Sequence, residues 1–418
     1  MTVSETLVLA KVRRRLIPFL FLLYIVAYLD RVNVGFAALQ MNQALGFSAT
    51  VYGFGAGIFF LSYVLFEVPS NVILARVGAR LWIARIMISW GLVSSSMMFV
   101  RSAGGFYALR FLLGAAEAGF FPGIIFYFTR WFPARERART VATFMTAVLV
   151  AGVVGGPISG ALLSLHGAGG LSGWQWLFLL EGVPSIVLGL VVLKVLDEGP
   201  ADAPWLTETE RATLVACLRD DARTQQHKTT GAALRDGRTW LLAIMHFTIP
   251  VTLYGIGFFL PQMLKTASGA TDFEVGLLTA VPYAVGAVAM VIAGRHSDRT
   301  GERRWHIVVA AIVSAAGLAL STASTGIVWS VATLSIAVLG LASMFGPFWA
   351  LTTSTMTGVG AAASIALVNS VGNTGGFVGP YLLGAINDAT HSFAPGLLTI
   401  AAILGVGASL ALLVRDNQ

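Results

Sequence analysis

The sequence predicts an all-helical membrane protein with twelve transmembrane helices, on three observations. Of the 418 residues, 56% are hydrophobic and only 11% are charged, whereas about a quarter of the residues in a soluble domain are charged. The hydrophobic residues form blocks of about twenty, the length that an α-helix needs to cross about 30 Å of hydrocarbon. The 46 glycines suit the close helix packing found in lipid.

Twelve apolar blocks define the predicted spans, called spans one to twelve in chain order. They cover residues 16–38, 50–75, 81–100, 104–129, 140–164, 174–195, 239–264, 274–294, 305–323, 327–350, 361–386 and 394–414. A polar stretch follows span six, so we predict a six-helix bundle over 1–196, a linker over 197–237 and a second six-helix bundle over 238–418. Thr207 and Glu210 have capping-box spacing, which predicts a short amphipathic helix in the linker.

Basic residues indicate the orientation. Most connections on one side of the predicted membrane carry Lys or Arg, namely Lys11, Arg13, Arg14, Arg15, Arg76, Arg80, Arg130, Arg135, Arg137, Arg139, Arg295, Arg299, Arg303, Arg304 and Arg415. The opposite side has only Arg101 and Lys265. Because basic loops remain in the cytoplasm, we predict a bacterial inner-membrane protein with both termini and the linker cytoplasmic. The net charge of +7 is thereby explained without a nucleic-acid partner.

Two pairs of matching segments indicate that the halves are related. Residues 71–80 after span two resemble residues 294–304 after span eight, and residues 156–160 of span five resemble residues 379–384 of span eleven. Matches six spans apart are typical of duplicated transporter halves. The single Cys217 excludes an intrachain disulfide and a cysteine-based metal cluster, and we predict no metal site.

Charged residues inside the spans are the main functional signal. Six are predicted in the interior of the first-half spans: Asp30, Arg31, Glu67, Arg110, Glu117 and Glu181. Each costs about 2.5–3.5 kcal/mol in mid-membrane, so it faces a polar cavity or pairs with another charge. For Asp30, Arg31, Arg110 and Glu117 we favour a central site over a structural ion network. For Glu67 and Glu181 we favour a structural role.

Arg110 and Glu117 are seven residues apart and therefore share one face of span four, about 10 Å apart along the axis.

Neutral polar residues are further candidates. Several aromatic residues either line a cavity or pack in the bundle: Tyr24, Tyr28, Tyr63, Tyr254, Tyr283 and Trp349. Asn369 and Asn373 need partners in lipid and are candidates for the site. His246 is interpreted as a satisfied polar residue.

At these residues the sequence resembles the major facilitator superfamily and, within it, the anion:cation symporter family, over essentially the whole chain. The loop motif of the superfamily, with its gating role, is matched by Gly294, Asp298, Arg299, Gly301, Arg303 and Arg304. Its first-half copy differs, with Ala75 at the acidic position. Residues 28–33 and 110–123 resemble the motifs of the family in spans one and four.

The resemblance implies roles for individual residues. It implies that Asp30 and Glu117 couple protons, that Arg31 binds the substrate carboxylate and that Arg110 is the partner of the span-four acid. It also implies that Tyr28 and Tyr63 line the substrate pocket.

The leading interpretation is a proton-coupled symporter that imports a small organic carboxylate, such as tartrate, a sugar acid or an aromatic acid, by alternating access. It needs no cofactor beyond the proton gradient, and we expect a monomer in the lipid. An efflux antiporter of the same fold is the alternative, because residues 152–157 resemble a motif of exporters. An intramembrane enzyme is a remote alternative, since the sequence has no hydrolase or metalloprotease motif.

Overall fold

The structure is a computed structural model that describes residues 3–223, 236–323, 326–356 and 361–414. The middle of the predicted linker and Arg415 therefore lie outside the described residues. The described ranges form the α-helices α1 Val3–Leu45, α2 Ala49–Val77, α3 Ala79–Ser96, α4 Ala103–Glu117, α5 Phe120–Trp131, α6 Ala134–Leu163, α7 Gly173–Val195, α8 Glu208–Arg223, α9 Gly237–Ser268, α10 Asp272–Thr300, α11 Arg304–Ser321, α12 Ile327–Thr355, α13 Ala361–Asn373, α14 Gly375–Thr390 and α15 Ala394–Leu413.

Eleven helical segments in the described ranges are long and apolar enough to cross a membrane. They correspond to spans one to ten and span twelve, with α4 and α5 counted together as span four. Span eleven is divided at Thr374 into α13 and α14, each too short to cross alone. The prediction of one continuous eleventh helix is therefore corrected to two consecutive shorter helices.

The two halves repeat the same packing. Span three packs on span six as span nine packs on span twelve, and span two packs on span four as span eight packs on span ten. Span one packs on span five as span seven packs on span eleven. Two pseudo-symmetric six-helix bundles, as predicted, explain this pattern. Between them, span two packs on span eleven and span five on span eight.

Hydrogen bonds between the halves cluster at one end of the molecule, which we call the far face. This end contains the turns 46–48, 269–271 and 391–393, opposite the linker face that carries α8, the start of α1 and the end of α15. The Asp388 carboxylate accepts hydrogen bonds from the backbone amides of Ala49 and Thr50, at 3.0 and 2.8 Å. Gln40 Nε2 donates to Asp272 Oδ2 at 2.7 Å. The halves are therefore joined at the far face.

The linker helix α8 is held against the first bundle. Its predicted capping box is present, with the Thr207 amide donating to Glu210 Oε2 at 2.9 Å and the Glu210 amide donating to Thr207 Oγ1 at 3.3 Å. Lys11 Nζ lies 2.7 Å from Glu210 Oε2, and this hydrogen bond holds the pKa of Glu210 below its ordinary value. The rings of Trp131 and Trp205 stack with centroids 5.5 Å apart.

The loop motif after span eight forms a turn within the second half. Helix α10 ends at Thr300 and is capped by Gly301, whose φ of 71° is in the left-handed region that favours glycine. Arg303 Nη1 donates to Asp298 Oδ1 at 2.7 Å and to Ser297 Oγ at 2.9 Å. Arg299 is exposed beside this turn. The gating role of the motif stays a prediction.

Candidate functional site

Span four is broken in the interior of the first half. Helix α4 ends at Glu117, and α5 begins at Phe120 after Gly119, whose φ is 88°. Ser70 Oγ donates to the free carbonyl oxygen of Ala118 at 2.6 Å and accepts from Trp82 Nε1 at 2.9 Å. The break therefore places the Glu117 carboxylate at the end of a half-helix, an arrangement that transporters use at binding sites.

Glu117 forms an ion pair with Arg31 of span one. Glu117 Oε1 accepts a hydrogen bond from Arg31 Nη2. The guanidinium also lies 5.6 Å from the ring centroids of Phe59 and Tyr63. The side chain of Arg31 is 14% exposed, whereas that of Glu117 is 2% exposed. Arg31 is thus the side of the pair that a ligand can reach.

Arg110 has different partners from those that we expected. The resemblance implied a pair with Glu117, but Arg110 Nη2 donates to the Ala56 carbonyl at 2.9 Å and Nε donates to the Gly55 carbonyl at 3.3 Å. Arg110 is completely buried. Two helical turns separate it from Glu117, and the glycine-rich segment of span two brings backbone oxygens closer. Arg110 therefore connects spans two and four in this structure.

Four tyrosines from both halves lie around Arg31, and a fifth, Tyr283, lies next to them. Tyr24 and Tyr28 belong to span one and Tyr63 to span two; Tyr254 and Tyr283 belong to spans seven and eight. Arg31 is close enough to Tyr24, Tyr63 and Tyr254 for electrostatic interaction, and Tyr28 interacts in this way with Tyr254 and Tyr283. None of these five hydroxyl groups has a hydrogen-bond partner among the described residues. They are available to a ligand.

The second half contributes uncharged polar groups. His246 is buried, with its ring stacked on Phe348 at 4.9 Å between centroids and 5.0 Å from Trp349. Its Nδ1 atom has no partner within the described ranges. Asn369 and Asn373 lie half-buried on α13. The structure places these residues on spans seven, ten and eleven, without a contact to Arg31.

Asp30 lies away from the Arg31–Glu117 pair. Its carboxylate accepts hydrogen bonds from Ser94 Oγ at 2.7 Å, Trp90 Nε1 at 2.8 Å and Ser185 Oγ at 2.7 Å. Consecutive residues of a helix point about 100° apart, so Asp30 enters the interior of the first bundle while Arg31 faces the second half. The two predicted proton-coupling acids, Asp30 and Glu117, share no hydrogen-bond partner.

Comparison with known proteins shows the family. The model described as the Major Facilitator Superfamily matches residues 20–380. The chain belongs to this superfamily. An Agrobacterium vitis protein named "Putative tartrate transporter" is 51% identical over 99% of this chain and 92% of its own length. A "Quinolone resistance transporter" of Acinetobacter baumannii is 38% identical over 97% of this chain and 94% of its own length.

A solved structure has the same fold. It is a bacterial homologue of the human lysosomal transporter Spinster in an inward-facing and occupied conformation, with a TM-score of 0.80, 17% identity and 96% of each chain covered. As a Major Facilitator Superfamily member, the chain is a multi-pass membrane transporter of twelve spans in two six-helix halves. It is not an enzyme.

Sequence reasoning missed several polar partners in this superfamily member. Ser70 stabilises the break in span four, and Ser94, Ser185 and Trp90 hold Asp30. Ser159 donates to Glu181 Oε1 at 2.8 Å. The available signal was a small polar residue in an otherwise apolar span, but such residues also occur at ordinary helix contacts.

Proposed function

We propose that this transporter is a proton-coupled symporter that imports a small organic carboxylate. Tartrate is the first candidate substrate, ahead of other sugar acids and aromatic acids. The observation that carries the proposal is the Arg31–Glu117 pair of the first half, with Arg31 partly exposed and close to Tyr254 of the second half. An arginine fork binds a carboxylate with two hydrogen bonds. The name of the Agrobacterium vitis relative supports tartrate.

The coupling step follows from competition for one arginine. When a substrate carboxylate binds Arg31, Glu117 loses its hydrogen-bonded partner in a buried position. An unpaired buried carboxylate is strongly unfavourable, so Glu117 takes up a proton. When the substrate leaves, Glu117 releases the proton and pairs with Arg31 again. Substrate and proton therefore bind and leave together.

In alternating access, the two halves move so that the site opens to one side of the membrane at a time. The halves meet at the far face through contacts such as Gly156 on Gly276, where an added Cβ at Gly156 is only 2.3 Å from the carbonyl oxygen of Gly276. With the linker face in the cytoplasm, as the basic loops predict, this closed far face excludes the outward-facing state. Rocking of the two bundles about the Arg31 site then opens the far face.

Uptake into proteoliposomes tests the proposal. The purified protein is reconstituted with an internal pH indicator and given labelled tartrate, a sugar acid or an aromatic acid. We expect tartrate to accumulate when the lumen is alkaline, to acidify the lumen as it enters and to lose accumulation with a protonophore. Tartrate entry without lumen acidification contradicts proton symport.

An efflux antiporter is the second candidate, favoured by the relative named for quinolone resistance and by the glycines of residues 152–157. The same proteoliposomes distinguish the two, because an antiporter alkalinises the lumen when substrate enters. A fluoroquinolone and tartrate are therefore compared for the sign of the pH change. Alkalinisation by the fluoroquinolone, with no response to tartrate, supports the antiporter.

A further inference from the structure

A second group of buried polar side chains, two of them acids, lies behind the Arg31 site and is not used by the coupling step above. It consists of Asp30 and Asn33 of span one and Glu181 of span six, and we call it the inner cluster. Asp30 and Asn33 are each 1% exposed and Glu181 is 6% exposed. Asn33 Nδ2 lies 3.4 Å from Asp30 Oδ1, and the Asn33 side chain also lies near Glu181.

Hydrogen bonds distinguish the two acids. A carboxylate has about four acceptor sites, and Asp30 accepts from Asn33 and from the serine and tryptophan donors of spans three and six. Glu181 accepts one hydrogen bond, from Ser159, and its Oε2 has no partner among the described residues. The buried Oδ1 of Asn33 also has none. Both unpartnered atoms are acceptors, so a proton on Glu181 supplies the donor that is missing.

The charges around the inner cluster lead to the same conclusion. The neighbouring elements present Trp90 and Ser94 from α3, Ser159 from α6 and Ser185 from α7, none of which is charged. Of the cations nearby, Arg31 is paired with Glu117, Arg110 is bound by carbonyls, and Arg85 of α3 stacks on Trp82. The charges that act on the cluster are acids: Glu117 on Asp30, and Asp30 on Glu181. Two ionised carboxylates are not stable there without a cation.

Ser159 connects the inner cluster with the movement of the halves. It lies on span five between Gly156 and Gly160, which both contact span eight of the second half. An added Cβ at Gly160 is 2.9 Å from the carbonyl oxygen of Asp272. When the far face opens, these contacts separate, so span five, which carries the Ser159 donor to Glu181 Oε1, loses its support from the second half. The surroundings of Glu181 therefore depend on the transport state.

We propose that Glu181 is a second proton-binding residue of the transport cycle: it holds a proton as its carboxyl O–H when the far face is closed and releases that proton to water when the far face opens. Glu181 rather than Asp30 binds this proton, because Asp30 already accepts hydrogen bonds from four side chains. The proposal rests on the proposed proton symport and extends it from Glu117 to a second site.

The test measures the number of protons that enter with each tartrate. Wild type, Glu181→Gln and Glu181→Asp are compared in proteoliposomes, from lumen acidification and labelled tartrate uptake. We expect Glu181→Gln to lose one proton from the wild-type ratio while tartrate exchange continues, because glutamine keeps a donor but cannot release a proton. Glu181→Asp should restore the ratio. The control is Glu208→Gln, an exposed acid of α8 outside the inner cluster, which should keep it.

A spectroscopic measurement separates the inference from the proposed function. The infrared spectrum of the wild-type protein should contain a protonated-carboxyl band that is missing from Glu181→Gln. If Glu181→Gln does not fold, Ser159→Ala should shift that band, because it removes a hydrogen bond from the same carboxyl group. An unchanged proton ratio together with an unchanged band overturns the role of Glu181. Absence of acidification in the wild type defeats proton symport instead, while the band still decides whether Glu181 is protonated.

Discussion

At the scale of single residues, Asp30 and Arg31 illustrate how one helix supplies two environments. Asp30 accepts hydrogen bonds from donors inside the first bundle, whereas Arg31 pairs with Glu117 at the boundary between the halves. The pair uses Nη2 of Arg31, while its Nε has no partner within the described ranges. Glu117 therefore holds the guanidinium through a single nitrogen, and a substrate carboxylate that binds the fork through two hydrogen bonds displaces it.

Glu117→Gln tests the coupling role of the ion pair. We expect it to abolish accumulation of tartrate driven by a pH gradient, because glutamine neither binds nor releases a proton. Exchange of tartrate between preloaded vesicles and the medium should be retained, since exchange requires no net proton movement. Both rates are measured in the same proteoliposomes. Accumulation equal to that of the wild type contradicts the role of Glu117.

Arg31→Lys tests the geometry of anion binding. A lysine keeps the positive charge but loses the planar fork, so we expect tartrate binding to weaken by about 1.5–3 kcal/mol, the contribution of a hydrogen bond to a charged group. Calorimetry on wild type and variant, with tartrate and its diamide side by side, gives the comparison. Equal affinity of the wild type for the acid and the diamide removes the assignment of Arg31.

At the scale of secondary-structure elements, the sequence predicted the positions of the spans but not their interruptions. The block 174–195 corresponds to α7 Gly173–Val195, because hydrophobic length sets the span. Helix α1 begins at Val3, well before the block at residue 16, since basic residues continue a helix outside the hydrocarbon. The break after Glu117 depends on Ser70 and Trp82 of other spans, and no local pattern encodes those contacts.

The hydrogen-bond partners of Arg110 could not be predicted from the sequence either. The spacing of Arg110 and Glu117 correctly indicates that both belong to one face of span four, and both are buried. It does not indicate which neighbour each side chain meets. Arg110 donates to the Gly55 and Ala56 carbonyls because span two packs against span four at these residues. Glu117 pairs with Arg31 because the orientation of span one about its axis turns Arg31 toward it.

Gly119→Ala tests the break in span four. Gly119 has a left-handed φ, and an added Cβ is 2.3 Å from Ser70 Oγ, so we expect the variant to be less stable by about 1–3 kcal/mol. The control is Gly104→Ala in the same span, where φ is ordinary and no atom lies within 4 Å of the added Cβ. Thermal unfolding in detergent should show a lower midpoint for Gly119→Ala alone. Equal midpoints contradict the importance of the break.

At the scale of the whole molecule, the repeated packing of the halves explains how one interface can open and close. Span two meets span eleven and span five meets span eight, which are equivalent pairs under the exchange of halves. Glycines allow close approach at both contacts: Gly53 faces the Pro380 carbonyl, and Gly156 faces Gly276. Such contacts pack closely without side chains that must interlock, so the halves can separate.

The single cysteine tests the orientation of the molecule. Cys217 lies on α8 at the linker face, which the distribution of basic residues predicts to be cytoplasmic. A membrane-impermeant thiol reagent should leave Cys217 unlabelled in intact cells and label it after the membrane is opened. Labelling from outside reverses the predicted topology.

Asp388→Asn tests whether the far-face contact sets the balance between states. The Asp388 carboxylate belongs to the second half but accepts hydrogen bonds from the first amides of α2 in the first half, where a negative charge stabilises a helix N-terminus by about 0.3–2 kcal/mol. Asparagine removes the charge and one acceptor oxygen, so the closed far face should become less populated, because each 1.4 kcal/mol changes an equilibrium by about tenfold.

Accessibility of the far face measures that change. Phe54, which packs edge to face against Phe377 and Tyr381 of the second half, is replaced by cysteine in a Cys217→Ser background, and labelling is followed with an impermeant thiol reagent. Asp388→Asn should accelerate labelling, whereas the control Asp202→Asn, an exposed linker residue, should leave the rate unchanged. Closure of the far face is the event that separates the site from that side of the membrane, so a weaker Asp388 contact should also slow tartrate release at the linker face. If labelling is as slow in Asp388→Asn as in the control, glycine packing rather than the helix cap holds the halves together.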